Sequence, residues 1–195
     1  QNIGRMSLGV KVGETYTDYG DGNLEETEQL YDMALSGKGF FAISYADRNG
    51  NESVRYTRDG NFTVNSQGVL VTKDGDFVLA EDGGLINIPE GVKISVDESG
   101  RITADGQEIA QLQLVDFEDY NYLEKFGENM YIAIDGATTK DAQCKVYQGY
   151  LEASNVNVVT EMVDMITITR DYESNQKVIQ TIDSTLEKSV ALGRI

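Results

Sequence analysis

Ser154–Leu192 reads SNVNVVTEMVDMITITRDYESNQKVIQTIDSTLEKSVAL, and this stretch decides the architecture. Neither Gly nor Pro interrupts residues 156–192, so no backbone breaker ends a helix there. Ser154 or Asn155 offers a side-chain oxygen to the free N–H groups of a first turn. Fully helical, the stretch reaches roughly 55 Å at ~1.5 Å per residue, longer than a compact domain of this size needs. Apolar side chains return at heptad spacing at Val158, Met165, Tyr172, Ile179 and Leu186. The seam four residues on runs Met162, Thr169, Gln176, Asp183 and turns polar towards its end, while Ile168 and Ile182 widen the stripe. Such a stripe calls for a partner helix. No second helical stretch of that length is readable in the chain, so the partner is expected to be another chain or a segment ahead of Gln1. A helix folded back on the rest of the chain is the alternative.

Upstream the grammar changes. Of the glycines, only Gly193 lies beyond residue 149. Asp-Gly recurs at 21–22, 59–60, 74–75, 82–83, 105–106 and 135–136, with Asn-Gly at 49–50. These pairs suit tight hairpin turns. Between them lie short β-branched and aromatic runs: Phe40–Tyr45, Val54–Thr57, Asn61–Val64, Val69–Thr72, Phe77–Leu79, Leu85–Ile88, Val92–Val96, Arg101–Thr103, Ile109–Val115, Met130–Ile134 and Cys144–Gln148. Short strands at this spacing predict a mainly β, antiparallel domain followed by one long C-terminal helix. Residues 117–126 read as a loop or a short helical turn. The expected organisation is an extended segment over residues 1–36, a β-rich domain over 37–149, and the helix over 150–195.

Composition narrows the function. The 195 residues carry 16 Lys+Arg against 33 Asp+Glu, a net charge of −17, with no His, no Trp and one Cys. So acidic a chain repels phosphate backbones and anionic lipid, which argues against nucleic-acid partners. Without His there is no imidazole base or ligand, and Cys144 alone builds neither an internal disulfide nor a thiolate cage. Asp116, Glu118 and Asp119 cluster beside Tyr120 and Tyr122; a solvated acidic loop is the favoured reading over a glycosidase-like pair. The oxygen-rich runs 18–23 and 47–52 do not follow EF-hand order and read as turns. Gly37-Lys38-Gly39 lacks a P-loop's flanking pattern and reads as close backbone packing. No catalytic, cofactor or metal site is expected, and no small-molecule substrate.

Several blocks of the sequence resemble one family. QGYLEASNVNVVTEMVDMITITRDYESNQKVIQTID (Gln148–Asp183) is similar to the C-terminal signature of bacterial flagellar rod and hook proteins. So are TEQLYDMALSGKGFF (Thr27–Phe41), YTRDGNF (Tyr56–Phe62) and GVLVTKDGDFVL (Gly68–Leu79), in family order. The likeness is closest to the basal-body rod members, with the distal rod favoured; a hook subunit is expected to have a larger middle region. The resemblance implies a homo-oligomeric helical tube, with paired N- and C-terminal helices inside and the β domain outside. It implies export through the flagellar type III apparatus, a basal-body location outside the cytoplasmic membrane, and neighbouring rod and hook proteins as partners. It also implies that Ser154 and Asn155 cap the helix, and that Arg170, Tyr172 and Asn175 make intersubunit contacts beside the seam of Val158, Met162, Met165, Ile179 and Leu186. Two departures stand out. The family's N-terminal Asn-Asn-x-Ala-Asn helix does not precede Gln1, and its Gly-Asn-Pro-Leu-Asp-Leu stretch reads Glu28–Met33 here. A β-rich secreted adhesin is the competing class.

Overall fold

The computed structural model describes residues 16–47 and 50–192. The chain divides after Glu152 into a β unit and a helical unit. The β unit contains β1 (Leu24–Glu26), β2 (Met33–Lys38), β3 (Phe40–Ala46), β4 (Glu52–Thr57), β5 (Phe62–Val64), β6 (Leu70–Thr72), β7 (Phe77–Val78) and β8 (Ile94–Val96). It continues with β9 (Arg101–Ala104), β10 (Gln107–Gln111), β11 (Leu114–Phe117), β12 (Leu123–Phe126), β13 (Met130–Ala133), β14 (Thr139–Asp141), β15 (Gln143–Gln148) and β16 (Tyr150–Glu152). The helical unit is one helix, α1 (Val158–Leu192). The expected mainly β domain with one C-terminal helix is therefore observed. The expected boundary at residue 36 falls inside β2, whose Met33, Ala34 and Leu35 are buried core. Residues 117–126 hold a single 3-10 turn, Tyr120–Tyr122, and then β12.

Every ladder is antiparallel, and the largest sheet runs β12-β13-β4-β3-β7-β6-β5. β3 is its hub. It pairs with β4 along its whole length, with β11 at Phe40–Phe41, and with β7 at Ile43–Ser44. Phe40 through Ile43 are all buried, so this strand is covered on both faces. Alternation sends neighbours to opposite sides. Phe41 enters a large core with Met33, Leu35, Phe62, Leu70, Ile86, Ile102, Leu112 and Val146. Phe40 enters a smaller aromatic cluster with Phe117, Tyr19, Tyr56, Tyr120 and Tyr131. The large core joins the β2–β15 ladder and the β10-β9-β8 sheet to the main sheet.

The turns explain the glycine pattern only in part. At Asp105-Gly106, between β9 and β10, both residues have positive φ (50° and 81°), the geometry that makes a two-residue hairpin compatible with strand twist. Asp59-Gly60 is different. Gly60 lies outside the left-handed region and is needed for close approach instead. The stretch Leu85–Ile88 forms isolated bridges rather than a strand. Asn49 of the expected 49–50 turn lies outside the described residues, although its flanking strands pair at Ala46↔Glu52. At the altered Glu28–Met33 stretch, Glu28 takes a left-handed φ of 55°, and the N–H groups of Thr27 and Glu28 both reach the Gly149 carbonyl.

Candidate assembly interface

α1 runs 35 residues, about 52 Å at ~1.5 Å per residue. Its cap corrects the expectation. The Asn157 side chain accepts from the N–H groups of Val159 (3.0 Å) and Thr160 (3.2 Å), the bonds that a cap makes. Ser154 lies further upstream, where its hydroxyl accepts from Val156 N at 3.2 Å. Asn155 also precedes the helix. The physical reason is spacing: only Asn157 stands immediately before a helix that begins at Val158. Glu161 in the first turn adds a favourable charge near the positive end of the helix dipole.

Taken by itself, α1 buries none of its residues. Val158, Met162, Met165, Tyr172, Ile179 and Leu186 are all 58% or more exposed. Val159, Val163, Ile166, Ile168, Val178, Ile182 and Val190 add to the apolar area. A helix of this kind is marginal in water on its own and gains stability chiefly by burying such a face. An undistorted helix drifts about 20° per heptad against a 3.5-residue repeat, so the seam winds roughly 80° from Val158 to Leu186. A partner following it must supercoil or cross.

The remaining expected residues fall on two sides. Asn175 is three residues from Tyr172 and four from Ile179, so it shares their face. Arg170 is two residues from Tyr172, roughly 160° around the axis at ~3.6 residues per turn, and faces the other way. Lys177 stands in the same relation to Ile179. Among the described residues, no carboxylate lies within ion-pair distance of Arg170 or Lys177. The hydroxyls on the helix need no outside partner: Thr169 donates to the Met165 carbonyl (2.8 Å), Thr167 to Val163 (2.9 Å) and Thr181 to Lys177 (2.8 Å). Thr169, on the second seam, can thus be buried without stranding a polar group.

The acidic groups weighed earlier have structural work inside the β unit. Asp116 is 1% exposed. Burial alone would raise its pKa, but hydrogen bonds from Tyr120 Oη (2.7 Å), Lys140 Nζ (3.0 Å) and Phe117 N (2.8 Å) outweigh it and lower the value. The same pairing raises the Tyr120 pKa strongly, through burial first and the Asp116 hydrogen bond second. Asp119 accepts from Asn121 N at 2.9 Å at the start of the 3-10 turn. In the 18–23 run, Asp18 accepts from Gly20 N, and Asp21 binds Gly37 N and Arg58. Gly37 and Gly39 pack tightly, as expected: a Cβ on either would come within 3 Å of Gln143 O or Cys144 Sγ. Among the described residues there is no cluster of metal-ligating side chains, and no helix is long and apolar enough to cross a membrane.

Comparison with known proteins assigns both units. A model described as the flagellar hook protein FlgE/F/G D1 domain matches residues 34–104. A second, described as the C-terminal part of the flagellar basal body rod FlgEFG protein, matches residues 147–192. Strand hub and exposed helix thus come from one class, the flagellar rod and hook proteins. The relatives are more particular. The flagellar basal-body rod protein FlgG of Buchnera aphidicola subsp. Schizaphis graminum is 37% identical, over 94% of this chain and 73% of its own length. FlgG of Bacillus subtilis is 32% identical over 99% of this chain and 76% of its own length. The rod protein FlgF of Caulobacter vibrioides is 37% identical over 88% and 68%. The chain belongs to the flagellar basal-body rod protein family.

Proposed function

We propose that this chain is a structural subunit of the basal-body rod, in its distal part, and that it polymerises with copies of itself into a helical tube. The observation that carries the reading is α1, with its winding and unburied seam from Val158 through Met162, Met165, Tyr172 and Ile179 to Leu186. In the tube, this seam and Asn175 pack on a helix of the same or a neighbouring subunit. Arg170 and Lys177, on the opposite side, meet a second neighbour. A helix in a continuous wall is flanked on more than one side, which suits a surface with two different faces. The β unit forms the outer layer, and the assembly carries motor torque to the hook. The subunit reaches its place through the flagellar export apparatus and needs no cofactor. Its strong net negative charge keeps unassembled copies apart.

Electron microscopy of purified basal bodies, labelled with antibody against residues 37–149, tests the reading. Label on the shaft below the hook is expected, and its height separates proximal from distal. Label on the curved segment would make the chain a hook subunit. Absence from every flagellar structure, with the protein elsewhere on the surface, would overturn the proposal in favour of an adhesin.

A further inference from the structure

Arg58 is the most heavily engaged side chain of the β unit. Its Nε donates to Glu152 Oε2 at 2.8 Å and its Nη2 to Glu152 Oε1 at 3.0 Å, a bidentate fork. Nη2 also reaches Asp21 Oδ1 at 3.1 Å. Nη1 donates to the carbonyls of Gly37 (2.7 Å) and Gly39 (3.1 Å), on either side of the step from β2 into β3. The side chains of Arg58 and Glu152 are only 19% and 11% exposed. Burial opposes the guanidinium charge, but the bonds and charge of Glu152 outweigh it and raise the pKa.

The location gives this network its meaning. Glu152 is the last residue of β16 and of the β unit. β16 has one strand partner, the fully exposed β1, in a ladder of three residue pairs. Two strands that short are not stable alone. The inner end of the ladder is tied by backbone bonds, Thr27 N to Gly149 O (2.8 Å) and Gly149 N to Asp32 O (2.7 Å). The outer end, where the chain leaves the unit, is tied by Arg58, with Gly22 N donating to Glu152 Oε1 at 2.8 Å. Asp21 brings in the incoming segment, through Arg58 and through Gly37 N at 3.2 Å.

We infer that Arg58 is a positioning residue: it fixes the exit strand β16 and the entry segment around Asp21 to the strand hub, so that the chain leaves the β unit in one direction. Under the rod reading, on which this second part rests, torque passes between the two units through this fork rather than through a loose strand.

Hydrogen exchange on the soluble 195-residue chain reads the positioning part without any assembly. Arg58→Met is expected to speed exchange at Leu24–Glu26 and Tyr150–Glu152 at least tenfold, with β3 and β4 unchanged. Arg58→Lys keeps the charge but not the fork, and should give an intermediate rise. Glu152→Gln leaves the guanidinium with its two carbonyls and should raise exchange in the same two segments; it decides alone if Arg58→Met does not fold. Unchanged exchange there, or an equal rise across β3 and β4, overturns the inference. The mechanical part is read in cells carrying Arg58→Lys. They should swim normally in dilute medium and slow disproportionately as viscosity rises; wild-type speed at high viscosity overturns it. Normal swimming after deletion of the whole chain would instead sink the rod reading and leave the exchange result standing.

Discussion

The backbone carbonyl of Met33 occupies the space in which a side chain on Gly60 would begin: a Cβ there would lie 1.5 Å from Met33 O. Two segments far apart in sequence cross at this point, and Met33 N also donates to Gly60 O at 3.0 Å. The crossing brings the buried start of β2 against the turn that leads into β5.

Gly60→Ala should therefore destabilise the β unit by ~3 kcal/mol or more, since the clash is with backbone and no rotamer relieves it. Thermal unfolding followed by near-ultraviolet circular dichroism measures the loss. A melting temperature within a degree or two of wild type would show that the two segments can separate.

Asp116 gives the β unit an acid sensitivity of definite sign. Its pKa is lowered in the folded state, so its stabilisation is complete above the unfolded carboxylate value, about 3.9, and is lost as pH falls through the lower folded value. Asp116→Asn should cost ~2–3 kcal/mol at pH 7 by weakening the bonds to Lys140 and Tyr120. It should also flatten the fall of stability below pH ~4. Urea unfolding at several pH values checks both; a parallel acid profile in the two proteins would remove Asp116 as the cause.

Asn157→Ala should destabilise α1 by ~1 kcal/mol and reduce the helical signal at its first turns, while Ser154→Ala changes it little. Far-ultraviolet circular dichroism of the two variants distinguishes them. A larger loss with Ser154→Ala would return the cap to the upstream residue.

Ile179→Asp separates assembly from folding. Ile179 is 59% exposed on α1, so the soluble chain should melt as wild type does. In a packed helix seam the unpaired carboxylate costs on the order of 3–5 kcal/mol, enough to abolish assembly. Normal swimming of cells carrying this variant would remove Ile179 from the interface.

The parts of this molecule readable in advance are those written in local chemistry. Asp105-Gly106 announces its hairpin because only small or polar residues tolerate two positive φ values in a row. The heptad of Val158 to Leu186 announces a long helix with an unmet face because spacing alone fixes what shares a side. Arg58 was visible only as one letter of YTRDGNF. Its partners lie 37 and 94 positions away, and nothing in a linear pattern pairs it with Asp21 or Glu152. Gly60 was misread for a related reason. Asp59-Gly60 looks like the other turns, yet its glycine answers to a distant carbonyl rather than to its own φ. The cap was misplaced by two residues because Ser154, Asn155 and Asn157 all have suitable side chains, and only the observed start of the helix selects among them.

The pairing of Leu24 with Glu152 has an evolutionary corollary. The β unit's chain enters and leaves at adjacent points, as an inserted cassette does. Loops or whole hairpins can be gained or lost between residues 27 and 149 while the spacing of those two points stays fixed. Selection can then resize or reshape this unit in one lineage after another without redesigning what lies before Leu24 or after Glu152.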